Sequence, residues 1–185
     1  KTKLIIPVPM LGNPCDMKQI MKIAKKRKVP ILEDACESFG AKYKGKFVGT
    51  HGDVGVYSLD FAKTITTGEG GLIVTKNKKI FKYCKEFHDH GHENNKKRPR
   101  GKDTRSIWGL NLRMTELQAA VGLAQLKKIS FIKKKNKMNK DYLKRSIAKN
   151  SQINFRKIYD REELSDTLIF FLKNKNLAKK MEKYL

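Results

Sequence analysis

Hydrophobic and polar positions alternate with two different periods along this chain, and the changes of period mark its elements. Leu4-Ile5-Ile6-Pro7-Val8 is a continuous apolar run and predicts a buried strand over 4–8. From Asp16 to Lys28 the spacing becomes helical, with Met17, Ile20, Met21 and Ile23-Ala24 on one side and Asp16 placed to cap the first turn. Pro30 then opens a second apolar run over 31–34, which ends in a carboxylate, Asp34. Strand, helix and strand in that order predict a βαβ unit with a parallel pair. In such sheets functional groups collect at the carboxyl ends of the strands, where Asp34 lies.

Residues 40–53 are rich in glycine and lack a period, which predicts a small hairpin or loop. Two further strand-like runs, 54–59 and 72–75, enclose Lys63 and the turn Gly68-Glu69-Gly70-Gly71. A helix is expected over 77–88, and the polar segment 89–106, with Pro99 inside it, reads as an exposed loop. Thr115-Glu116-Leu117-Gln118 has the form of a capped helix start, and Leu117, Ala120, Val121, Ala124 and Leu126 carry its apolar side onward to about 147. After Asn150 the texture changes: 153–155 and 167–172 suggest strands, and 177–185 a terminal helix. A boundary at the end of the long helix divides the chain into residues 1–148 and an incomplete small α/β part, 149–185.

Size permits a core without disulfides at 185 residues. The chain opens at Lys1, and its first apolar run follows almost at once, so a piece of a longer chain is expected. A formal net charge of +24 raises the question of a polyanionic partner. The excess is nearly all lysine and is spread along the chain. Its runs, Lys25-Lys26-Arg27-Lys28, Lys96-Lys97-Arg98 and Lys133-Lys134-Lys135, have no interleaved aromatics. Arginine, the better residue for bidentate phosphate contacts, is scarce by comparison, so the charge reads as a solvated surface and no nucleic acid is expected. Cys15, Cys36 and Cys84 form no CxxC pair, which suggests neither a disulfide framework nor a zinc knuckle. No apolar stretch reaches the roughly 18 residues of a membrane span and none looks like a signal segment, so no membrane partner and a cytoplasmic location are expected.

Candidate chemistry centres on Lys63. Flanking apolar strands and a glycine turn would partly bury it, and burial makes a lysine amine more available. A lysine nucleophile and a distant aspartate, each delivered by a buried strand, suit pyridoxal phosphate: an amine for the Schiff base and an anion for the ring nitrogen. Ser58, at the end of its strand, is placed to bond the cofactor phosphate. Plainer readings stand beside these: a lysine in an ordinary loop, an aspartate closing a turn, a serine bonded to nearby backbone. His88-Asp89-His90-Gly91-His92 has a metal-like look, yet no cysteine partner and no HExxH spacing accompany it, so no metal is assigned and a polar loop lining a cleft is expected.

The motifs together resemble the DegT/DnrJ/EryC1/StrS sugar aminotransferases, over most of residues 5–130. The resemblance rests on Glu33-Asp34-Ala35-Cys36-Glu37-Ser38-Phe39-Gly40-Ala41, on Gly49-Thr50-His51-Gly52-Asp53, on Tyr57-Ser58 through Lys63 to Gly71, and on Gly109-Leu110-Asn111-Leu112-Arg113-Met114-Thr115-Glu116-Leu117-Gln118. It implies an α/β fold type I pyridoxal-phosphate-dependent transferase, here part of the large mixed-sheet cofactor domain followed by a partial small α/β domain. By the resemblance Lys63 is the Schiff-base lysine, Asp34 the partner of the ring nitrogen and Ser58 a phosphate ligand. Glu37 stands beside the ring hydroxyl, where the family usually has glutamine or histidine, and Asn111 reaches across a homodimer interface to the neighbour's phosphate.

The implied reaction moves an amino group from an amino-acid donor, glutamate before glutamine, to a keto or aldehydo sugar, a nucleotide sugar or, from the loop at 89–101, an eight-carbon keto sugar acid. Lys63 argues against the related dehydratases, which lack the lysine; a noncatalytic remnant or basic binding module is the alternative of another class. Family chains carry, upstream of the region seen here, a glycine-threonine phosphate loop and an aromatic that stacks on the cofactor. Residues 1–185 alone are therefore expected neither to bind the cofactor tightly nor to transaminate.

Overall fold

Parallel pairing begins where the two first apolar runs meet. In the computed structural model, which describes residues 1–183, Ile5 bridges Ile31 in parallel. The Ile5 N–H donates to the Pro30 carbonyl and the Leu32 N–H to the Ile5 carbonyl, both at 3.0 Å. The expected strand over 4–8 does not become regular. Pro7 and Pro9 have no N–H to give to a ladder, and the run continues only through the Pro7 carbonyl, which accepts from the Asp34 N–H at 3.1 Å.

Helix α1 (Met17–Arg27) forms as its period predicts and buries Met17 and Ala24. Asp16 caps it by accepting from the Gln19 N–H at 3.4 Å, and the same oxygen accepts from the Tyr43 hydroxyl at 2.9 Å, which ties the helix start to the next hairpin. Strand β1 (Leu32–Asp34) follows, then the hairpin of β2 (Lys42–Tyr43) and β3 (Lys46–Phe47), then β4 (Val54–Ser58) and β5 (Gly71–Thr75). The main sheet has the order β1-β4-β5. β4 runs parallel to β1, with Asp34 opposite Val56, and antiparallel to β5, with Ser58 opposite Gly71. The strands of this mixed sheet are short, and Gly55 shows why β4 tolerates so little side chain: a Cβ there would run into the Gly49 carbonyl, because the 48–52 loop lies directly on the strand.

Helix α2 (Lys78–Phe87) starts at Asn77, whose side chain accepts from the Lys79 and Ile80 N–H groups. Helix α3 (Glu116–Ile147) starts with the reciprocal Thr115 and Gln118 bonds of a capping box, as its sequence predicts. Its apolar side is not buried in this chain; Leu117 is 82% exposed. β6 (Ile153–Phe155) and β7 (Phe170–Leu172) pair antiparallel, and α4 (Lys175–Glu182) follows. The expected strand over 167–172 is therefore shorter at its start, and the end of the helix expected over 177–185 lies outside the described residues.

Two segments depart from their sequence pattern. The 89–106 stretch is not simply an exposed loop, because it turns back on charged groups that it buries: Glu86, Asp89 and His92 are 3%, 4% and 7% exposed. Residues 156–167 cross back to the start of the chain. The Leu164 N–H donates to the Gly12 carbonyl (3.0 Å), and the Asn13 side chain donates to the Lys157 carbonyl (2.8 Å). Leu164 thereby joins Met17, Ile31, Ala35, Ala41 and Tyr57 in the central core.

Candidate active site

Parallel pairing of β1 and β4 puts their carboxyl ends on one edge of the sheet, and this brings Asp34 and Ser58 to the same side. The Ala35 N–H continues the ladder by donating to the Val56 carbonyl at 2.9 Å. Beyond β4 the chain makes a tight turn that places Lys63. The Ser58 hydroxyl accepts from the Asp60 N–H (3.2 Å), the Asp60 carboxylate accepts from the Ala62 N–H (2.9 Å), and the Lys63 N–H donates to the Asp60 carbonyl (3.1 Å). Ser58 thus holds the backbone of the turn that carries the lysine, the plainer role weighed from its sequence.

The Lys63 side chain is about three-quarters buried and its ammonium lies 3.9 Å from the Glu37 carboxylate. The other Glu37 oxygen accepts from the Leu11 N–H at 3.0 Å. Leu11 has a left-handed backbone, φ 53°, which turns that N–H toward Glu37. Asp34 is linked to the pair through Cys36: the Asp34 carboxylate accepts from the Cys36 N–H at 3.3 Å. The Cys36 thiol is pushed up to about 11, first by burial, then by its hydrogen bond to Asp34 and that carboxylate's charge, while the Lys63 ammonium pulls it down. Lys63, Glu37, Cys36 and Asp34 accordingly form one electrostatic cluster.

A cavity of about 160 Å³ opens on this cluster, lined among others by Lys63, Glu37, Cys36, Thr64, Asp166 and Thr167. Its far wall comes from the segment that crosses back over the core. Thr64 donates to the Asp166 carboxylate at 3.3 Å, and burial pushes that carboxyl up, with the Thr64 bond opposing. No local pattern marks Asp166, which is remote in sequence from the lysine turn.

Asn111 does not line this cavity. It bridges Asp89 through the backbone, and its side chain accepts from the Arg113 N–H at 3.5 Å. Around it the buried Asp89 takes both arms of Arg100 (2.7 and 2.5 Å) and one of Arg113 (2.9 Å). His92 lies 3.7 Å from Asp103 in the same loop. Among the described residues no three His, Cys, Asp or Glu side chains group as metal ligands.

One further residue emerges beside Asp34. Glu33 is 1% exposed, and its carboxylate accepts from the N–H groups of Gly49 (2.8 Å), His51 (2.5 Å) and Gly52 (2.6 Å). Two motifs read separately in the sequence are thus one structure, with the acid of the first organising the backbone of the second. A charge inside an apolar run, with its side chain opposite in direction to that of Asp34, is the signal that marks it.

A mixed three-stranded sheet with a lysine turn beyond its central strand defines an α/β cofactor-domain architecture. The profile of the DegT/DnrJ/EryC1/StrS aminotransferase family matches residues 1–184, and the chain belongs to that family. It is 44% identical over 149 residues to GDP-perosamine synthase of Escherichia coli O157:H7, covering 78% of this chain and 38% of that protein. Among solved structures it is similar to Helicobacter pylori PseC, an aminotransferase involved in the biosynthesis of pseudoaminic acid, with a TM-score of 0.87 at 27% identity, over 97% of this chain and 48% of that one. It is also similar to the E. coli GDP-4-keto-6-deoxy-D-mannose-3-dehydratase with bound hydrated pyridoxal phosphate, with a TM-score of 0.85 at 28% identity, over 99% of this chain and 51% of that one. The fold is that of the pyridoxal-phosphate-dependent aminotransferases, and the chain spans about half, or less, of the length of these relatives. No helix among the described residues is long and apolar enough to cross a membrane.

Proposed function

We propose that this chain carries the lysine-bearing part of a pyridoxal-phosphate-dependent aminotransferase that aminates a keto or aldehydo sugar, with glutamate as donor, in cell-surface polysaccharide or related sugar biosynthesis. The observation that carries the reading is the Lys63 cluster: a largely buried amine, held in a cavity, with the strand-ending carboxylate of Asp34 linked to it through Cys36. That donor set suits the cofactor. An amine answers its aldehyde, a carboxylate at the strand end answers its ring nitrogen, and the open cavity between the turn and the crossing segment leaves room beside Lys63. When bound, pyridoxal phosphate supplies an electron sink for the carbon that gains or loses the amino group.

The chain's own residues would then divide the work. Lys63 would hold the cofactor covalently and, once released, carry a proton at Nζ to and from the reacting carbon. Asp34 would keep the proton on the ring nitrogen. Ser58 accepts a backbone N–H with its oxygen, so its hydroxyl hydrogen would serve the phosphate. Glu37 is drawn to Lys63 and to the Leu11 N–H, which turns its carboxylate to the amine. Asn111 would serve the phosphate of a second copy. Support for a homodimer comes from the apolar side chains exposed around it: Trp108 at 92%, Leu112 at 59% and Leu117 at 82%. The division into residues 1–148 and 149–185 belongs to the same reading and is supported by the separate β6–β7 ladder, and so does a cytoplasmic location, where nucleotide sugars and amino acids are at hand. Sugar transaminases and dehydratases both occur among the relatives, and Lys63 favours the transaminase.

The test is to supply the chain with the upstream region that its relatives carry, incubate it with excess pyridoxal phosphate, reduce with borohydride and map the pyridoxyl label. Lys63 should carry it and Lys63→Ala should lose it, while Asp34→Ala should keep the label and lose glutamate-dependent amino transfer. A label confined to other lysines refutes the assignment.

A further inference from the structure

The segment that crosses back over the core delivers one carboxyl into the Lys63 cavity, and an unusual amount of structure is spent on its placement. Glu163 forms a buried ion pair with Lys140 of α3 at 2.6 Å, with both side chains at least nine-tenths buried. Leu164 is 1% exposed and its N–H is held by the Gly12 carbonyl. Ser165 is 5% exposed and sits at φ 64°, a left-handed conformation that a serine adopts at a cost. Asp166 comes next. Its approach is so close that a Cβ on Gly12 would lie 2.9 Å from one of its oxygens and 2.7 Å from Leu164. The other oxygen takes the Thr64 hydroxyl, next to Lys63. Four consecutive residues are thus an ion-pair anchor, an apolar anchor, a strained turn and a carboxyl aimed at the lysine cavity.

The charge around that cavity says what it can receive. Glu37 and Asp166 line it with one ammonium, Lys63, so carboxylates outnumber the cation. A diphosphate would meet repulsion from both acids. A sugar ring would not, because its hydroxyls are neutral donors that a carboxylate accepts strongly. We propose that Asp166 is a specificity-determining residue that accepts a hydroxyl of the acceptor sugar and orients the ring toward Lys63, leaving the anionic part of the acceptor outside the pair of carboxylates. This rests on the reading of the chain as a sugar aminotransferase.

Saturation-transfer NMR, which detects weak binding, provides the test, with GDP-mannose as probe and pyridoxal phosphate present. In the unsubstituted protein the hexose protons should receive strong saturation. Asp166→Ala should weaken probe binding about tenfold and cut transfer to the hexose far more than to the guanine, the loss of one charge-assisted hydrogen bond. Asp166→Asn keeps a carbonyl acceptor in the same shape and should restore part of the hexose signal; a purely structural role would instead lower hexose and guanine transfer alike. If Asp166→Ala does not fold, Thr64→Val is read instead: it leaves the carboxyl unoriented and should lower hexose transfer severalfold. Absence of hexose transfer in the unsubstituted protein, or equal transfer in all variants, overturns the proposal. Failure of the underlying reading looks different, since it shows as loss of the borohydride-trapped label at Lys63 whatever the NMR result.

Discussion

Replacing Glu33 should test the local architecture more sharply than any change in the cavity itself. Its carboxylate is the shared acceptor for three backbone N–H groups of the 49–52 loop, and it lies at 1% exposure behind β1. Glu33→Ala leaves all three donors without their partner. The Gly49 N–H is fully buried, and an orphaned buried donor costs about 1–3 kcal/mol. The His51 and Gly52 groups are only partly buried and regain water, so each forfeits the net worth of a hydrogen bond, about 0.5–1.5 kcal/mol. Together the loss is about 2–6 kcal/mol, a large share of the roughly 5–15 kcal/mol that holds a typical domain folded. Glu33→Gln keeps the shape and one carbonyl oxygen, so it should cost about half as much. Urea unfolding followed by circular dichroism measures both. The reasoning fails if Glu33→Ala lies within about 0.5 kcal/mol of the parent, the range of an ordinary surface substitution, or if glutamine proves as costly as alanine.

The Asp34–Cys36–Lys63 cluster is open to alkylation: Asp34→Asn weakens the hydrogen bond and removes the Asp34 charge that raise the Cys36 thiol, leaving burial and the smaller push of Glu37, and should speed its reaction with iodoacetamide severalfold, as read by peptide mapping. Lys63→Ala should slow the same reaction, and opposite signs would place the thiol elsewhere. In the 86–113 loop the Arg100 fork holds the Asp89 carboxyl well below the usual carboxylate range against the opposing pull of burial, with Arg113 assisting. A depressed folded value means that this support is complete above the ordinary value of about 4 and is lost as the pH falls below it. The protection of the Gly91 and Leu110 amides against exchange, taken relative to the intrinsic rate at each pH, should therefore fall on acidification, and Asp89→Asn should remove most of that pH dependence; an unchanged acid profile in the variant would contradict the assignment.

How far the sequence reached is clearest where local chemistry decides. The cap at Asp16, the capping box at Thr115 and Gln118, and the hairpin at 42–47 were legible because a few adjacent residues satisfy one another's backbone groups. The same holds for the strand ends that carry Asp34 and Ser58, since an apolar run announces its own burial. The same apolar signal predicts a strand over 4–8 that does not form, because hydrophobicity says nothing about the N–H groups that Pro7 and Pro9 lack.

What tertiary structure alone decided depends on groups far apart in the chain. Glu33 was read as part of a motif, and only the fold shows that it holds the 49–52 backbone. Asp89 lay in a stretch read as an exposed loop, and only its two arginines explain its burial. Asp166 had no local signal, since its place beside Lys63 is set by the Lys140–Glu163 pair, by Leu164 in the core and by the space that Gly12 leaves. Backbone propensity acts between neighbours and can be read along the chain. A buried charge is tolerated only where remote partners converge on it, and that convergence is a property of the folded chain.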